Sequence, residues 1–277
     1  EYDELTADYD KTIWTKALPR LFPKVREMSC GQFAQAARSL MDYNEARAKS
    51  EKKLMEQYGV VVDAVPCYCP PMEALFNYWR GIKGLSIDLR RRPEKVEEFS
   101  KVRDEVLLDG IFHSSLTQIE GQDPNQPYDV CLVMLAHTIL NDRQFEKFYV
   151  PGFKKVLDYC RENGKQAFIY AEGSWERFGD FFNEYPKGVC SNMVEIGDPF
   201  TLRKKYPNVC LYGGLDVEIM GTASPHQCVD MAKKAIDELG CDGGLVLQPN
   251  KMVSYPRDMN ADNLKAVCDF ASGYQLN

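Results

Sequence analysis

No apolar run in the chain approaches the roughly 18 residues needed to cross a bilayer, and no signal peptide opens it. No Lys/Arg-rich stretch is long enough to make a nucleic-acid patch. The densest, Arg90-Arg91-Arg92, runs at once into Pro93, Glu94, Glu97 and Glu98, so it reads as a solvated turn in a chain of net charge −7. There is also no glycine-rich phosphate loop of the dinucleotide or P-loop kind after any strand-like segment. The opening residue is Glu1 rather than Met, as expected of a cut or processed end.

What is there is ordinary for a soluble globular protein: 277 residues, 44% hydrophobic and 27% charged. That length suits one large domain, since α/β barrels run to about 250 residues as a single unit. Ten cysteines are spread along the chain, several inside apolar segments such as Val130-Cys131-Leu132 and Val209-Cys210-Leu211. Free thiols in a reducing cytoplasm account for them better than a disulfide framework, so the expected location is cytoplasmic.

Residues 1–58 read as a helical lead-in segment interrupted at Pro19 and Pro23. Gly31 precedes a long polar helix on which Phe33, Ala36, Ala37, Leu40 and Met41 recur at helical spacing. A β/α rhythm follows. Strands are predicted over Gly59 to Pro66, Val130 to Ala136, Gln166 to Ala171, Gly188 to Val194, Val209 to Gly213 and Gly243 to Leu247. Helices are predicted over Leu75 to Gly81, Pro93 to about His113, Asp142 to Asn163, Trp175 to Tyr185, Asp198 to Tyr206, Pro225 to Leu239 and Asn260 to Ser272. Gly164, Gly240 and Gly273 fall just past helix ends, where a left-handed cap favours glycine. Continuously apolar strands alternating with helices predict a parallel sheet covered by helices, either a barrel or an open doubly wound sheet.

In such folds chemistry gathers where the strands end. His137 follows the second strand, Glu172 the third, Glu195 the fourth, Asp216 the fifth and Asn250 the sixth. These residue types can ligate a metal or move protons. Each also has a plain structural alternative. His137 can be a satisfied core residue, and Asp216 a turn residue. Glu195 and Asp198 can cap the next helix, and for Asp198 before Pro199 capping is the better account. Glu172 sits in Ala-Glu-Gly-Ser directly after a strongly apolar run, so a partner or a task is expected for its carboxylate. Tyr170 is read as facing away from Glu172. Cys67-Tyr68-Cys69 invites a metal or redox reading, but with no second pair nearby it is read as packing. His113 and His226 are assigned no role.

Several stretches resemble the uroporphyrinogen decarboxylase superfamily. They are Ala136-His137 followed by Gln144 to Pro151 and Phe153-Lys154-Lys155, then Gly213-Gly214-Leu215-Asp216 with Met220-Gly221-Thr222, and then Gly243 to Leu247 with Asn260 to Ala266. The resemblance runs from about residue 59 to the end. It implies a TIM (β/α)8 barrel of which residues 59–277 form strands three to eight, with the first two β/α units absent from this chain. It also implies membership of the corrinoid-linked methyltransferase branch rather than a true decarboxylase, whose late His segment is replaced by Gln248-Pro249-Asn250-Lys251.

The thiol-specific methyltransferases of that superfamily bind zinc through a His-x-Cys-Gly motif and a late Cys. Here Tyr170-Ala171-Glu172-Gly173 and Asn250 or Lys251 stand at those places, so the usual thiolate ligands are missing. The resemblance therefore implies a corrinoid-dependent methyltransferase acting on an oxygen- or nitrogen-bound methyl group, such as an O-demethylase of methoxylated compounds. Its corrinoid would come on a partner protein. Glu172 is the expected acid, His137 its assistant and with it a candidate metal-ligand pair; Glu195 and Asp216 are further catalytic candidates. Gly213, Gly214 and Asn250 are read as cofactor-facing. A homodimer is the family habit. The alternatives are a decarboxylase-like lyase on a tetrapyrrole and a non-catalytic cobamide-binding barrel.

Overall fold

Residues 1–58, 67–114 and 128–275 are described by a computed structural model. The strand expected over Gly59 to Pro66 lies outside them. The chain divides into two compact units, residues 1–66 with 74–127, and residues 67–73 with 128–277.

The first unit is helical among the described residues. Pro19 and Pro23 break its start into short pieces, Leu18–Leu21 and a 3-10 turn Pro23–Glu27, because each removes a backbone donor. The helix Cys30–Tyr58 follows, and its side chains are mostly exposed. Helices Gly81–Arg91 and Pro93–Ser114 bury Leu85, Leu89, Val96 and Phe99 together with Tyr2 and Leu5 from the N-terminal turns. Tyr2 donates its hydroxyl to Asp88 at 3.1 Å, and Arg80 holds the same carboxylate at 2.5 Å, so the buried charge is paired. Arg90, Arg91 and Arg92 are exposed, as the sequence predicts, but Arg90 and Arg91 form the last turn of the helix rather than a turn between elements.

The second unit is built on six parallel strands that pair strictly in chain order. They are β1 Cys67–Tyr68, β2 Val130–Met134, β3 Ala167–Ala171, β4 Cys190–Met193, β5 Cys210–Leu215 and β6 Leu245–Pro249. A doubly wound sheet reverses its strand order at a switch point, and this one does not. Right-handed crossovers that always step the same way lay their helices on the same face. Burial agrees. In β2, Val130, Leu132 and Met134 are buried while Cys131 and Val133 are only half-buried. Ala167, Ile169 and Ala171 of β3 lie on the buried face and Tyr170 on the other. From β1 to β3 the sheet thus has a covered face and a half-exposed face, whereas every residue of β4 is buried and every residue of β6 is half-buried. On the half-exposed face Phe168 is shielded by the rings of Tyr128 and Tyr212, with centroids 4.8 and 4.6 Å away.

Local chemistry sets the helix limits. The single helix expected from Asp142 to Asn163 is two, Asp142–Phe148 and Val150–Glu162. Pro151 has no N–H to continue the first, which ends at Tyr149. The segment Trp175 to Tyr185 is a 3-10 turn Glu176–Phe178 followed by a short helix Gly179–Asn183. Asp198 caps Pro199–Lys205 through the N–H groups of Phe200 and Thr201, as predicted. A Ser224–Gln227 capping box starts Pro225–Leu239, and Asn260 caps Ala261–Gly273. Gly164 takes the left-handed conformation at φ +62, whereas Gly240 closes its helix at φ −102 without it.

Candidate functional site

The C-terminal ends of β3, β4, β5 and β6 carry the convergent polar groups. Tyr170 and Glu172 are two residues apart, so the strand period of two puts them on one face. The Tyr170 hydroxyl donates to Glu172 Oε1 at 3.4 Å. This corrects the expectation that Tyr170 faces away from Glu172. Burial raises the Tyr170 phenol above its ordinary range, and the charges of Glu172 and Glu195 raise it further. It therefore holds its proton and acts as a donor.

Glu172 itself is exposed. Ala167, Ile169 and Ala171 before it lie on the buried face, but the strand's alternation carries the carboxylate onto the other face with Tyr170. Glu195 is half-buried and accepts the backbone N–H of Gly173, which turns at φ +86. It is fixed by the neighbouring strand's loop rather than by capping its own helix.

Glu195 also borders a cavity of about 300 Å³ at the ends of β4 to β6. The walls include Val194, Phe200, Leu215, Ile219 and Met231, and the polar groups are Glu195, Asp216, Lys234 and Asn250. Asp216 caps the helix Val217–Thr222, with Oδ1 accepting from Glu218 and Ile219. Asn250 ties the same corner, accepting from Val217 N–H at 3.1 Å and donating its own N–H to the Leu215 carbonyl at 2.8 Å. Lys234 Nζ sits 4.5 Å from the centre of the Phe200 ring. Gly214 lines the cavity at φ +94, and a Cβ there would stand 3.0 Å from Ala235 Cβ. Gly213 is buried in β5 beside Val194 and is not part of the wall.

His137 is not brought into this group. It lies in the 3-10 turn Ala136–Ile139, fully buried, with Nε2 at 3.2 Å from the Ser174 carbonyl and its ring edge-on to Phe178. Burial pushes its pKa down to about 4, and the nearby Arg177 charge works in the same direction. The imidazole is neutral at pH 7, which suits a packed core residue. An exposed Glu172 and a His137 held by a carbonyl do not fit a metal ion. Among the described residues no three His, Cys, Asp or Glu side chains come together in a way that could hold one.

Besides Asp88, a second buried carboxylate escaped sequence reasoning. Glu73, 2% exposed, follows β1, and its Oε1 accepts from the N–H groups of Leu135 at 2.7 Å and Ala136 at 3.0 Å and from the Tyr149 hydroxyl. It anchors the turn that carries His137. A Glu in Pro-Met-Glu-Ala reads as an exposed first-turn residue of a helix, so the sequence holds no signal of this role. No protein-family model matches the chain, and no curated protein matches it.

Proposed function

We propose that this chain is a methyltransferase that works with a corrinoid protein and takes a methyl group from the oxygen or nitrogen of a small substrate, in the manner of an O-demethylase. We further infer that its six strands belong to a TIM-type barrel whose interior is the half-exposed face. Parallel strands paired in consecutive chain order, with crossovers that always step the same way, support the barrel. An experimental structure with helices on both faces of a flat sheet would sink it.

The observation that carries the function is the convergence of Tyr170, Glu172 and Glu195 at the strand ends, where Glu195 also borders a largely apolar cavity of small-molecule size. The corrinoid, on its own protein, would supply the nucleophile that accepts the methyl carbon. This chain's residues handle the rest. The apolar walls hold the substrate's body. Loss of the methyl group leaves an oxide that needs a proton. Tyr170 gives its hydroxyl proton to that oxygen, and solvent restores it by way of Glu172. A phenol raised above its ordinary range keeps its proton in the resting site and gives it up to the strongly basic oxygen that develops as the methyl group leaves. Glu195 sets the field around the phenol and keeps the proton on it until the leaving oxygen draws it off. Two carboxylates at the rim disfavour a polyanionic tetrapyrrole as substrate, which speaks against the lyase reading.

The test is methyl transfer from a panel of methoxylated and N-methylated compounds to a reduced corrinoid protein. Tyr170→Phe and Glu172→Gln should each slow transfer by about 10² to 10⁴. Undiminished transfer by both variants would end the assignment. Cobamide binding with no turnover of any methyl donor would favour the non-catalytic barrel instead.

A further inference from the structure

The sequence singles out Cys67 and Cys69 and reads them as packing, and the structure does not agree. Both side chains are exposed, and their Sγ atoms stand 3.8 Å apart. Between them Tyr68 is fully buried, edge-on to Phe153 of the helix Val150–Glu162. Alternation along the strand therefore turns both thiols to the half-exposed face. On the next strand Cys131 is the register partner of Cys67 and shares that face, half-buried. Exposed thiols gain little from packing, so their pairing calls for another account.

A tetrahedral zinc-class ion bound through bonds of about 2.3 Å holds any two of its sulfur ligands about 3.8 Å apart. We propose that Cys67 and Cys69 form a two-thiolate site for a thiophilic divalent cation of the zinc class, with solvent completing the coordination and Cys131 the nearest further thiol by register. The local electrostatics keep the Cys69 proton on the free thiol, so a cation must displace it to bind. The hydrogen bond to Cys67, burial and the charges of Cys67 and Glu73 all raise the Cys69 thiol. Without a cation the two sulfurs and the carboxylate cannot all carry charge comfortably. A divalent ion displaces both thiol protons and neutralises the excess, so two protons leave for each ion bound. The site uses neither Glu172 nor His137, and it does not depend on the methyl-transfer reading.

Cadmium is the probe, because its thiolate complexes absorb in the ultraviolet. The reduced full-length protein, titrated with cadmium ion alone, should develop a thiolate-to-metal band at one ion per chain, with affinity rising with pH. Cys67→Ser and Cys69→Ser should each weaken binding by more than the tenfold to hundredfold typical of an outer-shell loss, while Cys241→Ser leaves it unchanged. In the unsubstituted protein, cadmium should protect Cys67 and Cys69 from alkylation, read by peptide mass spectrometry. Equal affinity in the Cys67→Ser/Cys69→Ser double variant, or alkylation of both thiols undiminished by cadmium, overturns the proposal.

Discussion

Tyr149 donates its hydroxyl hydrogen bond to Glu73, and that bond lies wholly inside the protein. Burial and the Glu73 charge drive the Tyr149 phenol well above its ordinary range, so it stays neutral and serves the carboxylate as a donor. Removing Glu73 would strand that hydroxyl and two backbone N–H groups. Glu73→Ala should cost about 3 to 5 kcal/mol in urea unfolding, and Glu73→Gln, which keeps an acceptor, about 1 to 2. Equal midpoints for Glu73→Ala and the parent would show that the network holds nothing.

His137 sets an acid limit. Its folded-state pKa, about 4, lies below the ordinary 6.5, so between those values the unfolded chain binds a proton that the folded chain refuses. The stability at stake is present above pH 6.5 and is lost as pH falls toward 4. The loss amounts to about 3 kcal/mol by the cost of one pKa unit. Unfolding midpoints of the parent should fall over that range. A His137→Gln variant should show a flatter profile even if it starts lower, and parallel profiles would rule His137 out as the cause.

Gly214 answers two constraints at once, a left-handed backbone and the closeness of Ala235 and Leu247. Gly214→Ala should lower stability by at least about 2 kcal/mol, combining strain with overpacking. Thermal unfolding reads it directly, and a variant as stable as the parent would mean that the helix Pro225–Leu239 has room to move away.

Asp216 faces the cavity but spends Oδ1 on two helix N–H groups. Asp216→Asn preserves a good cap and should leave stability within about 0.5 kcal/mol, while Asp216→Ala should lose about 1. Methyl transfer should survive the Asn change. A sharp fall in turnover at unchanged stability would move Asp216 from the helix end into the chemistry.

Tyr170 predicts a pH profile. Its neutral form is the active one, and its pKa is raised, so the phenol should not limit the rate until pH passes above the ordinary phenol range near 10. Turnover that declines on an alkaline limb well below 10, and loses that limb in Tyr170→Phe, would contradict this environment.

The strand and helix sequence of the second unit is legible where a strand is a short apolar run, as in β2 and β3, and where a helix begins at a capping side chain, as at Asp198 and Ser224. The limits are less legible where two signals compete. The amphipathic pattern of residues 142–163 favours one helix, and Pro151 divides it. The strand-end candidates were readable as a set but not one by one. Whether Glu172 is exposed depends on which face of the sheet the helices cover, and that is decided by crossovers many residues away. Glu73 was invisible for the same reason, since its partners at Leu135 and Ala136 come from the turn after β2, some sixty residues away in the chain. The surroundings of Cys67 and Cys69 likewise follow from Tyr68 being drawn to the covered face.

The order of the sheet also bears on how the protein is made. Every strand from β2 onward pairs with the strand that precedes it in the chain. As synthesis proceeds, each new strand finds its neighbour already emerged, and no strand must wait for a distant partner before its polar backbone is satisfied on one side. Assembly can follow the direction of translation, one strand and its covering helix at a time, with the growing edge always the most recently made.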